Sequence, residues 1–138
     1  MKALIAEDNE VNRELLRELL ESRGYTVEEA CNGEEALRSL EQNCPDILLL
    51  DLNMPVLDGF GTIRRIRETP RLASLPVLAV TAYAMQGDKE NILKSGFDGY
   101  LSKPISSVGL GKELEKLLGN KIEAGTLPKK ARAAGAGS

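Results

Sequence analysis

Along residues 2–118, short apolar runs and longer amphipathic stretches alternate five times, and few folds accommodate that rhythm. Ala3-Leu4-Ile5-Ala6 is the first run, and it precedes a stretch with Val11, Leu15, Leu16, Leu19 and Leu20 at helical spacing. Gly24 stands where a glycine ends a helix. Thr26-Val27-Glu28-Glu29-Ala30 follows as a second strand, then a helix with Ala36, Leu37 and Leu40 that Pro45 must end. Ile47-Leu48-Leu49-Leu50 reads as a strand buried on both faces, as parallel sheets require. The turn-rich Asn53-Met54-Pro55-Val56-Leu57-Asp58-Gly59 leads to a helix with Ile63 and Ile66. Val77-Leu78-Ala79-Val80, a helix with Met85, Ile92 and Leu93 closed by Gly96, a short strand at Tyr100-Leu101 and a helix lined by Leu110, Leu114, Leu117 and Leu118 complete the series.

Five strand–helix units with buried-type strands predict an α/β fold: a (βα)5, doubly wound, parallel five-stranded sheet with helices on both faces. Residues 1–118 form that domain in this reading. Residues 119–138, rich in Gly, Ala and Lys, have too few large aliphatics to offset their ordering entropy and are expected to be a flexible tail. No run of apolar residues exceeds five, and the N-terminus turns acidic at Glu7-Asp8, so neither a membrane span nor a secretory leader is expected. A cytoplasmic address follows as the expectation.

Composition narrows the chemistry. The chain of 138 residues contains no histidine, which excludes a Ser-His-Asp triad, a His-bound zinc and a His general base. Cys31 and Cys44 are too far apart for a C-x-x-C pair and are expected to be inert, partly buried thiols. The net charge is −3, and the tail contributes +3, which leaves −6 on residues 1–118. Such a surface is a poor match for nucleic acid.

In open parallel sheets, ligands bind beyond the carboxyl ends of the strands. There the first strand runs into Glu7-Asp8, the third into Asp51, the fourth into Thr81 and the fifth into Lys103. Singly, each has an ordinary explanation: Asp8 or Asn9 as a helix cap, Asp51 in an Asx turn, Thr81 as a β-branched strand end, Lys103 as a loop cation. None of those explanations places all five groups on one edge. Three neighbouring carboxylates repel one another unless a cation lies among them, and Mg2+ accepts one or two carboxylates together with water and phosphate oxygens. A lysine and a hydroxyl beside such a metal can hold further phosphoryl oxygens. The chemistry this pattern implies is phosphoryl transfer to a carboxylate, with Asp51 as the nucleophile.

Ile5-Ala6-Glu7-Asp8-Asn9, Leu50-Asp51-Leu52-Asn53-Met54-Pro55 with Asp58-Gly59, Val80-Thr81-Ala82 and Lys103-Pro104 together resemble the receiver domain of two-component response regulators, over residues 2–118. Thr81-Ala82-Tyr83-Ala84-Met85-Gln86-Gly87-Asp88 and Tyr100-Leu101-Ser102-Lys103-Pro104-Ile105-Ser106 look like single-domain receivers of the DivK type and those of hybrid histidine kinases. The resemblance implies a flavodoxin-like fold and a phosphoryl group passed to Asp51 from a histidine kinase or a histidine phosphotransfer protein. It implies Mg2+ held by Glu7, Asp8, Asp51 and the Asn53 backbone carbonyl, with Lys103 on the phosphoryl oxygens. Thr81 and Tyr100 would act as the switch pair, and Lys103-Pro104 would be a cis peptide. Glu7 stands where many members have Asp, which keeps the charge and changes its reach.

Output would then pass through a face made by the fourth helix, fifth strand and fifth helix, including Lys89, Lys94, Ile105 and Ser106, to a downstream target protein. Moving such a switch takes roughly 3–5 kcal/mol of differential interaction. Apart from its own phosphorylation and slow dephosphorylation, which Tyr83 would retard further, no enzymatic activity is expected. Two alternatives are a pseudo-receiver that binds partners without phosphorylation and a phosphatase of the haloacid dehalogenase type. The second needs an acid two residues after the nucleophile, where this chain has Asn53. A P-loop NTPase is excluded by the missing G-x-x-x-x-G-K-[ST].

Overall fold

The computed structural model describes residues 1–82 and 86–126. Five strands, β1 (Lys2–Ala6), β2 (Thr26–Ala30), β3 (Ile47–Asp51), β4 (Val77–Thr81) and β5 (Gly99–Ser102), alternate with α1 (Glu10–Glu21), α2 (Gly33–Gln42), α3 (Gly59–Glu68), α4 (Gln86–Lys94) and α5 (Ser107–Thr126). All strand pairs are parallel and the sheet order is β2-β1-β3-β4-β5. The doubly wound sheet expected from the alternation is present, and each strand lies within a residue or two of its predicted place. The strand order reverses at β1, so the crevice between β1 and β3 is the topological switch point.

Residue parity divides the core. Leu4, Ala6, Leu48, Leu50, Val77 and Ala79 face α2, α3 and α4, and meet Leu40, Ile63, Ile66 and Ile92. Ala3, Ile5, Ile47, Leu49, Leu78 and Val80 point the other way, onto Leu16 and Leu20 of α1 and Leu110, Leu114 and Leu118 of α5. This is why the strands read as unbroken apolar runs: both faces are covered.

Local chemistry sets the helix starts beside the strand ends. Asn9, Asn32 and Asp58 each cap a helix, accepting from the backbone N–H groups of Asn12, Glu35 and Gly61 at 2.8–2.9 Å. α1 ends through Tyr25 N–H to Leu20 O and Gly24 N–H to Glu21 O, a reversal that needs the left-handed φ of +88° at Gly24.

The burial expected of several side chains needs correction. Val11 and Leu15 were assigned to the buried face of α1 but are 73% and 37% exposed; the buried seam is Leu16 and Leu20, with Leu19 at its margin. Leu93 is likewise exposed beside the buried Ile92. Both thiols are exposed, because Cys31 and Cys44 sit in the turns flanking α2. The α5 backbone continues to Thr126, into the stretch read as a tail. Tyr83 and Met85, and the segment 127–138, lie outside the described residues.

Candidate functional site

Glu7 follows the last residue of β1, and its N–H still bonds to Ala30 O of β2 at 3.1 Å, so the carboxylate leaves the sheet at a fixed point. Asp51 is the last residue of β3. Gly59 opens α3 directly against it, where any Cβ would stand 2.7 Å from Asp51 O and from Leu52 Cα. Only glycine permits α3 to start that close to the strand end. Met54, part of the turn-rich run after β3, is buried in the core.

The sheet edge brings together the groups expected there. Glu7, Asp51 and Thr81 are 1%, 2% and 1% exposed. Lys103 Nζ stands 3.0 Å from Glu7 Oε1 and 3.1 Å from Asp51 Oδ2. The Asn53 N–H donates to Asp51 Oδ1 at 3.0 Å, and the Asn9 N–H to Glu7 Oε2 at 3.2 Å. Asp8, exposed at the rim, completes a trio in which one carboxylate oxygen from each residue lies within 4.8 Å of the others. Lys103 is held over the trio by its own N–H, which bonds to Thr81 O at 2.8 Å, and the Lys103–Pro104 peptide is cis as the resemblance implied.

The electrostatics of this cleft are unbalanced. Burial, then hydrogen bonding to Asp51, pushes the Glu7 carboxyl up to about 7, against the pull of Lys103 and of the Asn9 N–H. Burial disfavours the Lys103 ammonium, yet Glu7 and Asp51 outweigh it and raise its pKa. One ammonium therefore serves two buried carboxylates, with a third at the rim. Glu7 Oε1 is also buried without a well-aligned hydrogen bond, although Nζ stands close by. An all-oxygen donor set with surplus negative charge fits a hard divalent cation such as Mg2+. Glu7, Asp8 and Asp51 are the side chains able to hold it.

Tyr100 is half-buried at the edge of the core, with Lys89 Nζ 5.3 Å from its ring centroid. Arg13 of α1 reaches beyond its own helix. Its side chain is 15% exposed, pairs with Glu29 of β2 and donates to Glu7 O and Asp8 O. Spacing along α1 does predict the Arg17–Glu21 pair at 3.3 Å, but it carries no information about β2.

A parallel sheet with a carboxylate cleft and a lysine at its switch point defines a class of phosphoryl-handling α/β domains. Residues 3–115 match the response regulator receiver domain, and the chain belongs to that family, the signalling modules of two-component systems. It is 38% identical over 117 residues to the polar-differentiation response regulator DivK of Brucella anthropi, spanning 85% of this chain and 95% of that protein. The receiver domain of a sensor histidine kinase of Pseudomonas aeruginosa, crystallised with a magnesium ion coordinated in its active-site cleft, superposes with a TM-score of 0.79 at 39% identity. That match covers 86% of this chain and 97% of that one. The receiver domain of the Saccharomyces cerevisiae response regulator Ssk1, solved with the histidine phosphotransfer protein Ypd1, gives a TM-score of 0.78 at 28% identity, over 85% and 88% of the two chains. Aspartate phosphorylation and Mg2+ are general features of the family, which acts in signalling.

Proposed function

We propose that Asp51 is the phosphoacceptor of this receiver. The observation that carries the assignment is its position: a carboxylate 2% exposed at the end of β3, flanked by Lys103 Nζ at 3.1 Å and by two further acids. The donor is a phosphohistidine on a histidine kinase or phosphotransfer protein, a partner class supported by the Ypd1 complex of the yeast relative. Its P–N bond breaks as a P–O bond forms to the Asp51 carboxylate. Glu7, Asp8, Asp51 and the Asn53 carbonyl would hold Mg2+, which when bound neutralises the clustered charge and polarises the phosphoryl oxygens. Lys103 trades its contact with Asp51 for one with a phosphoryl oxygen, and the Thr81 hydroxyl supplies a second donor. The exposed, small Ala82 leaves room for the donor side chain.

Phosphorylated Asp51 then biases the pair Thr81 and Tyr100, and through them the face of α4, β5 and α5 with Lys89, Lys94, Ile105 and Ser106, toward binding a target protein. The chain catalyses only its own phosphorylation and slow dephosphorylation, and it acts in the cytoplasm without contacting nucleic acid or membrane. Residues 1–118 carry this function. None of the described helices is long and apolar enough to cross a membrane.

Intact-mass spectrometry after incubation with acetyl phosphate tests the assignment. Wild type should gain one phosphoryl group in the presence of Mg2+ and none after chelation, and Asp51→Asn should gain none. A folded wild type that gains nothing would identify a binding-only pseudo-receiver instead.

A further inference from the structure

Arg13 lies beneath the acidic edge. From α1 its guanidinium reaches in two directions: Nε bonds to Glu29 Oε1 at 2.9 Å, and Nη1 donates to Glu7 O at 2.9 Å and to Asp8 O at 3.3 Å. Glu29 also pairs with Arg17, which reaches neither carbonyl. The contact matters most for Asp8. Glu7 is fixed by burial, by its N–H bond to Ala30 O and by Asn9 N–H on its carboxylate. The Asp8 side chain, by contrast, is exposed and makes no hydrogen bond among the described residues, so its backbone is the part of it that the protein holds in place.

We propose that Arg13 is a positioning residue for the divalent cation, fixing the Glu7–Asp8 backbone so that both carboxylates converge with that of Asp51. The inference rests on the reading that these acids hold Mg2+. The planar fork is essential, because a lysine ammonium can satisfy Glu29 or the carbonyls but not both sides at once. Groups that orient metal ligands from behind typically contribute ten- to a hundredfold in affinity. Arg13 acts on ligand backbone, so about tenfold is expected.

Isothermal titration of the unphosphorylated chain with Mg2+ supplies the test, on wild type, Arg13→Met, Arg13→Lys and Arg17→Met. Arg13→Met should weaken binding about tenfold, and Arg13→Lys, which keeps the charge, by about threefold or more. Arg17→Met removes a positive charge beside Glu29 without touching either carbonyl, and it should bind as wild type does. Should Arg13→Met fail to fold, Arg13→Lys decides alone. Wild-type affinity in the folded Arg13 variants, or equal losses in the Arg13→Met and Arg17→Met variants, would overturn the positioning role. A wild type that binds no Mg2+ would overturn the metal site itself, and with it this inference.

Discussion

Replacing Glu7 by glutamine removes a charge without changing the shape of the side chain, and it addresses how the acidic cleft is balanced before any cation arrives. Glu7 is 1% exposed and its carboxyl is pushed from 4.5 up to about 7, chiefly by burial and then by Asp51. Holding it ionised in the folded state therefore costs on the order of 3 kcal/mol. In the unfolded chain the group ionises near its ordinary value. As pH rises from 4.5, the unfolded state releases this proton before the folded state does, so stability falls up to about pH 7 and stays low above it. Glu7→Gln has no such proton to lose. In urea denaturation with divalent ions chelated, the variant should be about 3 kcal/mol more stable than wild type at about pH 8, and the gap should close toward pH 4.5. Excess Mg2+ should reverse part of this, because it stabilises the wild type by mass action and the variant less. A Glu7→Gln protein no more stable than wild type at alkaline pH would refute the view that the cleft carries surplus charge.

Other perturbations probe the frame around the site. Arg67 donates to Gly96 O, Ala73 O and Leu75 O at 2.7–3.1 Å and pairs with Asp98, tying α3 to the turns that lead into β4 and β5; Arg67→Met should cost about 2–3 kcal/mol in urea denaturation, with acetyl phosphate reactivity unchanged. Gly59→Ala drives a methyl against Asp51 O and Leu52 Cα, and should destabilise by about 1–3 kcal/mol while slowing phosphorylation, since the strand end itself must shift. Lys103→Gln removes the ammonium that faces Glu7 and Asp51, and single-turnover phosphorylation at saturating Mg2+ should slow by about a hundredfold.

Much of the fold was legible because burial on both faces leaves a plain mark. Ile47-Leu48-Leu49-Leu50 and Val77-Leu78-Ala79-Val80 are strands with no polar side, and only a parallel sheet between two helical layers makes such strands. The site was legible for a related reason: in that architecture, whatever follows each strand shares one edge, so Glu7, Asp8, Asp51, Thr81 and Lys103 could be brought together without knowing a single distance. Contacts that cross between elements left no such mark. Arg13 looks like any helix arginine until β2 places Glu29 beneath it, and Arg67 until the turn before β4 supplies two carbonyls and the turn before β5 a third. The exposure of Val11 and Leu15 was hidden because five apolar residues on twelve positions of α1 span more than the stripe that the sheet covers. Gly59 was read as a turn residue, whereas its role is to bring α3 against the Asp51 strand end.

Asp51 is the proposed seat of the phosphoryl group, and its chemistry allows that to be read directly. Reduction of the phosphorylated protein with borohydride converts an acyl phosphate into an alcohol, which marks the modified residue for peptide mapping by mass spectrometry. Homoserine should appear at position 51 and at no other aspartate, formed only when Mg2+ was present during phosphorylation. Reduction at Asp8 or at any other carboxylate, with Asp51 recovered intact, would contradict it.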